Sequence, residues 1–385
     1  MTAAGPRVLV AGGGIGGLAT AIALRQAGID VTVFERAPDL RELEVGLGIH
    51  MWQNATRALR TLGVDTIEAA GESTERMEWR NARGRFLAAW NVGDLGRKLG
   101  APAVGLVRSQ LQAALAARVE DGVVRTGSEL VDFREDGSGV VARFADGSEE
   151  RGDVLVGADG LHSLVRARLH GRREPTYAGY MIWNATVELP EGLVPPQVFR
   201  ETWGPGARFG FFPVGGRTYW FCIARAPAGG SDPPGGRKAA VLARCRGWAK
   251  PTGAVIEHTP EEVIGRADIV GRDPLEHWGR GRVTLLGDAA HPMTPNLGQG
   301  AAQAIEDALV LATCLGGHAD PASALRAYEA RRSRRTASIM KRAWTIGATG
   351  RWEGAVACAA RDWLMRLVVP TLAWTLQKKD MAHEL

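Results

Sequence analysis

The sequence predicts an α/β protein in three parts: a parallel-sheet domain, an inserted, mostly antiparallel β-sheet lobe, and helices towards the C-terminal end. Three observations predict it. A strand, a glycine-rich turn and a helix follow one another in "RVLVAGGGIGGLATAIALRQAG", and the pattern returns in "DVLVGADGLHSLVRARL" and in "RVTLLGDAAHPMTPNLGQGAAQAIEDALVLATCL". Between the second and third of these units the chain reads as strands and hairpins instead. Beyond the third, "DPASALRAYEARRSRRTASIMKRAW" begins with an Asp cap and Pro321 at the first helical position, and continues as one long helix.

In the first unit, the apolar run "RVLVA" has strand length, glycines end it, and the following helix closes at Gly28. "DVTVFER" alternates and is β-branched, as a second strand should be. Gly12, Gly14 and Gly17 satisfy G-x-G-x-x-G, and Glu35 stands at the end of the second strand. Each has a physical use: a tight turn, a close approach of backbone to a pyrophosphate, helix packing against strand, and an acid for ribose hydroxyls. The helix start supplies partial positive charge to the phosphates. A Rossmann-like dinucleotide site is therefore expected, with FAD and NAD both open on this motif alone.

The third unit ends its strand at Gly287 and Asp288, crosses a proline-stiffened loop and opens a helix at Gly298 and Gly300. Unpaired N–H groups at such an opening suit an anionic or electron-rich group. In the inserted lobe, "AGYMIWNATVEL" reads as a strand, "GPGARFGFFPVGGRTYWFCIA" as a hairpin turning at "VGGR", and "SDPPGGR" as a surface loop. Phe209 and Phe211 share one strand parity, Tyr219 and Phe221 another. Residues 1–72, 101–175 and 271–335 are expected to form the cofactor domain, 73–100 and 176–270 the substrate lobe, and 336–385 a C-terminal helical segment.

Composition bounds the rest. At 385 residues with 45% hydrophobic and 23% charged residues, the chain can bury a substantial core. A net charge of +5 and a basic cluster (Arg331, Arg332, Arg334, Arg335, Lys341, Arg342) without interleaved aromatics argue against nucleic acid. That cluster reads as a solvated helix face. Four scattered cysteines indicate neither a disulfide framework nor a metal site. Glycines break the N-terminal apolar run, and Arg366 and Pro370 interrupt "WLMRLVVPTLAWTL". No stable membrane insertion is expected, and the cytoplasm is the default location.

Taken together, G-x-G-x-x-G, "GADGLHSLVR" and "GDAAHPMTPNLGQG", in that order, resemble the group A FAD-dependent monooxygenases of the para-hydroxybenzoate hydroxylase fold. "YAGYMIWNATVELP" and the hairpin resemble the substrate lobe of its smaller salicylate and urate hydroxylase types. The resemblance implies FAD as cofactor and NADPH or NADH as reductant. It implies Gly12, Gly14, Ile15 and Gly17 around the pyrophosphate, Glu35 on the ribose, and Arg36 and Leu130 near the adenine. Arg108 and Gln112 are implied beside the pyrophosphate and ribityl chain, Asp159 and Arg166 near FAD and the nicotinamide, and Asp288 at the ribityl. Pro295, Gly298, Gln299 and Gly300 are implied beside the isoalloxazine.

The implied reaction is O2 activation through a flavin C4a-hydroperoxide and transfer of one oxygen to an electron-rich small molecule. Hydroxylation is expected, with alkene epoxidation and a non-oxygenating FAD oxidoreductase left open. The candidate catalytic residues are Arg208, Tyr219 and His50 of the "GLGIH" loop. Asn184, Phe209, Phe211, Phe221 and Pro295 are the pocket candidates. His291 reads as structural. A monomer or homodimer is expected.

Overall fold

The computed structural model describes residues 5–43 and 47–383. Its parallel sheet has the strand order Val283–Leu285, Val154–Gly157, Val8–Ala11, Val31–Phe34, Val124–Arg125, with every neighbouring pair parallel. The first four are buried along their whole length, as continuous apolar strands covered on both faces must be. Helix Ile15–Gln26 covers one face and packs on Gly300–Gly317, so the first and third glycine units meet in the core.

A seven-stranded sheet forms the second lobe. Its order is Gly265–Gly271, Thr176–Val187, Arg217–Arg225, Ala207–Val214, Val198–Trp203, Arg76–Asn81, Phe86–Asn91. All neighbours are antiparallel except Val198–Trp203 with Arg76–Asn81. The hairpin turns on Gly215 and Gly216, whose φ values of +56° and +78° suit the two-residue turn that matches strand twist. A small sheet of Gly48–Met51, Val104–Val107 and Glu72–Ser73 links the lobes. His50 thus lies on a strand rather than in a loop, and Gly46 of "GLGIH" lies outside the described residues.

The long helix runs from Pro321 to Thr349 without a break near residue 335, and the Asp320 side chain caps it by accepting from Ser323 N at 2.9 Å. Helix Ala355–Val368, a π-helical turn Val369–Ala373 and helix Trp374–Met381 follow. Among the described residues, no helix is long and apolar enough to cross a membrane.

The solvated-face reading of the basic cluster is corrected. Arg331, Arg334 and Lys341 are exposed, but Arg332 is buried and bonds Glu306 at 2.7 Å and Asp307 at 2.6 Å. Arg335 pairs with Glu306 at 3.0 Å, and Arg342 with Asp380 at 2.6 Å. Arg332 and Arg335 face two buried acids of Gly300–Gly317, and Arg342 faces Asp380 of Trp374–Met381, partners that the local sequence does not display.

Candidate active site and cofactor groove

Two cavities meet at the carboxyl ends of the parallel strands, where open α/β sheets place ligands. One, of about 830 Å³, runs along the first and second strands; the other, of about 640 Å³, lies against the seven-stranded sheet. Gly14, Ala158 and Gly160 line both, so the two form one groove with a waist. A β-carbon on Gly14 would stand in open space at that waist. Gly17 serves packing instead, because its β-carbon would strike the Gly12 carbonyl oxygen.

Gly12, Glu35, Arg36, Leu130, Asp159 and Arg166 line the larger cavity. Glu35 accepts from Gly13 N at 2.6 Å and Ala37 N at 2.9 Å, which fixes the carboxylate at the end of its strand. Asp159 Oδ2 accepts from Leu164 N at 2.7 Å, whereas the buried Oδ1 has no protein partner; its surroundings push the carboxyl up from the usual range. Arg166 donates to the carbonyls of Ala289 and Ala290, each at 3.0 Å, and so braces the loop after Asp288. Burial, with Arg272 and Arg173 nearby, lowers its guanidinium to about 10.

Ile15, Arg108, Asp288, Pro295, Gly298 and Gly300 line the smaller cavity. Asp288 opens onto the cavity while protein encloses its other sides. That enclosure holds its carboxyl above the usual range, with His291 and Arg108 pulling it down. Helix Gly300–Gly317 begins here with no side-chain cap, leaving its first N–H groups to the groove. Gly298 adopts φ +59° and packs beside Trp52, whose Nε1 donates to Leu297 O at 3.2 Å. An uncapped helix start at each end, an orphaned carboxylate oxygen and a continuous waist together fit an extended dinucleotide such as FAD.

Two of the expected cofactor residues stand behind the groove rather than in it. Gln112 Nε2 donates to Gly13 O at 2.8 Å, buttressing the glycine turn. Gln299 Oε1 accepts from Asn54 and Gln303 Nε2, both at 3.0 Å, and joins the buried Glu306 network.

His50, Arg208, Tyr219 and Phe221 face the smaller cavity. The His50 ring packs 4.2 Å from Trp52 and 5.2 Å from Phe212, and its Nε2 lies 3.0 Å from Thr74 Oγ1. Burial lowers this imidazole to about 3, so it stays neutral. Burial likewise holds the Tyr219 phenol above its usual value; a hydrogen bond from Asn184 opposes the shift. Asn184 shares the cavity face of the sheet but stands beyond the cavity wall, as a neighbour of Tyr219.

Phe209 and Phe211 do not face the cavity. They are buried on the other side of the sheet with Trp183 and Trp220, because strand alternation gives the cavity to Arg208, Gly210 and Phe212. Phe212 was the residue to choose: it pairs with Tyr219 across the hairpin, 5.0 Å between rings. Phe199, Trp52 and Trp79 complete the aromatic wall.

At the polar end, Arg208 pairs with Glu201 at 2.8 Å and donates to Asn296 Oδ1. Burial raises the Glu201 carboxyl and Arg208 opposes it. Asn296 in turn donates to Tyr180 Oη at 2.7 Å and Ala343 O at 2.9 Å. Val368, Leu372 and Leu376 close the mouth. They stand four apart within the apolar run "WLMRLVVPTLAWTL", where nothing local marks a binding role. His291 is buried, with Nε2 2.5 Å from Asp307 Oδ2, away from either cavity.

A family profile described as FAD binding domain matches residues 6–343. The aurachin C monooxygenase/isomerase of Stigmatella aurantiaca is 47% identical over 94% of each chain. An FAD-dependent urate hydroxylase of Klebsiella pneumoniae is 35% identical over 88% of each. Klebsiella pneumoniae HpxO, solved in complex with FAD and uric acid, superposes with a TM-score of 0.88 at 31% identity, covering 98% of this chain and 95% of the other. With a profile spanning most of its length and relatives this similar end to end, the chain belongs to the FAD-dependent monooxygenases of the FAD-binding-domain family.

Proposed function

We propose that the protein inserts one oxygen atom of O2 into an aromatic or other electron-rich apolar small molecule, with NADH or NADPH as reductant. The observation that carries this reading is the aromatic cavity joined to the dinucleotide groove at Gly14, Ala158 and Gly160. Electrons balance as NAD(P)H, H⁺, O2 and substrate going to NAD(P)⁺, water and oxygenated product. FAD, when bound, takes two electrons from the nicotinamide and activates O2.

The residues of this chain do the rest. Gly12 and Gly14 shape the pyrophosphate turn while Gly17 lets the helix pack against it, Glu35 holds the ribose, and Arg36 and Leu130 flank the adenine. Arg108 and Asp288 hold the ribityl region, with Gly298 and Gly300 bringing backbone to the ring. Gln112 and Gln299 brace these loops from behind, and Arg166 braces the loop after Asp288 from the wall of the larger cavity. Trp52, Phe199, Phe212, Tyr219 and Phe221 orient a flat apolar substrate and exclude water, which protects the oxygenating species from loss as peroxide. Arg208, held by Glu201, offers the buried positive charge for a substrate oxygen.

One observation favours substrates that need no ionisation. His50 is held neutral and far below the range of a useful base, and Glu201 is engaged by Arg208. Addition of oxygen to an electron-rich double bond, as in epoxidation, therefore stands beside ring hydroxylation. The isomerase in the name of the Stigmatella relative suits an oxygenated product that rearranges.

We place the division of labour between a cofactor domain (1–72, 101–175, 271–335), a substrate lobe (73–100, 176–270) and the helical segment 336–385. Cytoplasmic nicotinamide pools suit the chemistry, and a monomer or homodimer suffices for it. The test is NADH and NADPH oxidation in air by the FAD-bound protein with phenols, indoles, purines and terpenoid alkenes, scoring peroxide in parallel. A compound that speeds oxidation while peroxide falls below nicotinamide consumed supports oxygenation. Stoichiometric peroxide with every compound, and no oxygenated product, overturns it.

A further inference from the structure

Helix Ala355–Val368 wears its apolar face outward. Val356, Ala359, Ala360, Trp363, Leu364 and Leu367 recur at helical spacing and are all exposed, Val356 at 84%, Trp363 at 65% and Leu367 at 54%. A surface helix normally turns such a stripe to the core. The inward side carries only Met365 and Arg361 as buried residues, and Arg361 donates to Gly204 O at 3.0 Å and to Asp362 at 3.1 Å. Leu372, 59% exposed on the turn that follows, extends the stripe.

The charges around the stripe are mostly basic. Between residues 354 and 379 the sole acid is Asp362, which accepts from Asn81 Nδ2 at 3.0 Å. Arg366 and Lys379 are exposed beside the stripe. Arg366 Nε also donates to Phe86 O at 3.2 Å, drawing in a hairpin whose tip exposes Arg83, Arg85 and the Phe86 ring.

We propose that this face docks on an anionic lipid surface. Leucines and a tryptophan flanked by arginine and lysine are the composition of helices that lie in a membrane interface. Anionic headgroups complement the basic rim. A second copy would bring two rims of like charge together across a two-fold axis, which disfavours it. Leu372 and Leu376 are both exposed and line the smaller cavity, so docking sets the cavity mouth against the bilayer. In that orientation a lipophilic substrate enters from the lipid; this step rests on the function proposed above, whereas the docking does not.

Flotation of the FAD-loaded full chain with vesicles tests it. Binding is expected to phosphatidylcholine vesicles containing phosphatidylglycerol, weaker binding to phosphatidylcholine alone, and release by salt. The double variant Trp363→Glu/Leu367→Glu is expected to lose about tenfold or more of the partitioning, with melting temperature and bound flavin unchanged. Substitution of Arg366 and Lys379 by Gln, on the basic rim, is expected to erase the preference for phosphatidylglycerol. Absence of wild-type flotation overturns the proposal, as does equal flotation of the stripe variant. A dimer in sedimentation that the stripe variant converts to monomer, without vesicle binding, assigns the face to a second copy and likewise overturns it.

Discussion

Arg208 and Glu201 face each other at 2.8 Å on neighbouring strands, both almost wholly buried, at the polar end of an otherwise apolar cavity. Removing one member of a buried pair strands the other charge. Arg208→Gln is expected to lower stability by about 3 kcal/mol or more at neutral pH. The Glu201 carboxyl already sits above its usual value, and without Arg208 it rises further. A carboxyl raised in the fold contributes stability that is fully present below its unfolded value and is lost as pH rises from there through the folded value. The melting deficit of Arg208→Gln should therefore shrink as pH falls from 8 towards 5.5, which thermal unfolding at both pH values measures; a constant deficit refutes the buried-pair account.

Adjacent phenylalanines should behave oppositely. Phe212→Ala opens the cavity wall, so uncoupled peroxide is expected to rise with bound FAD unchanged. Phe211→Ala empties the packed far side of the sheet and is expected to cost about 3–5 kcal/mol while leaving peroxide per nicotinamide as in the parent. Denaturant melts and coupling assays on the pair decide it.

Gly12 has φ +105°, and a β-carbon there would meet the Ala158 carbonyl. Gly12→Ala is expected to purify folded but depleted of flavin, read from the ratio of flavin to protein absorbance. Full flavin occupancy in this variant would remove the glycine turn from the pyrophosphate site.

Asp307 and Glu306 should make the protein acid-sensitive. Their carboxyls are held below the usual range, against burial, by Arg332 with His291 for Asp307 and with Arg335 for Glu306. Depressed carboxyls contribute stability that is present above their unfolded values and lost as pH falls through the folded ones. Asp307→Asn is expected to cost about 3 kcal/mol at pH 7 and to flatten the loss of stability below about pH 4. Thermal melts across pH 3–7 test both halves.

His50 should be silent in the pH profile. With its imidazole lowered to about 3, it keeps one charge state across the working range. His50→Gln is expected to leave the pH dependence of kcat/KM unmoved between pH 6 and 9 even where the rate changes. A lost ionisation in that window would show that His50 titrates as a base.

The parallel sheet was legible because its signals are local: apolar runs of strand length, ended by glycines that take turn conformations other residues avoid. Most residues that line the groove come from the same turns, although Gln112 and Gln299 brace it rather than line it. Less was legible in the substrate lobe. Parity separates Phe209 and Phe211 from Arg208 and Phe212, but parity alone does not say which side is the cavity; that depends on what packs against each face. Glu201, Trp52 and Phe199 come from strands and turns remote in sequence, and nothing local marks them. The buried arginines of the long helix were misread because their acidic partners, Glu306 and Asp307, lie on another helix.

Strand alternation in the hairpin also separates two kinds of evolutionary pressure. Positions 208, 210, 212, 219, 221 and 223 touch the cavity side, while 209, 211, 220 and 222 hold the lobe together from behind. Selection for a new substrate can therefore rewrite every second residue while the intervening ones stay fixed. A combinatorial library confined to the first set would sample new specificities on an intact scaffold, and one that included the second would mostly sample misfolded protein.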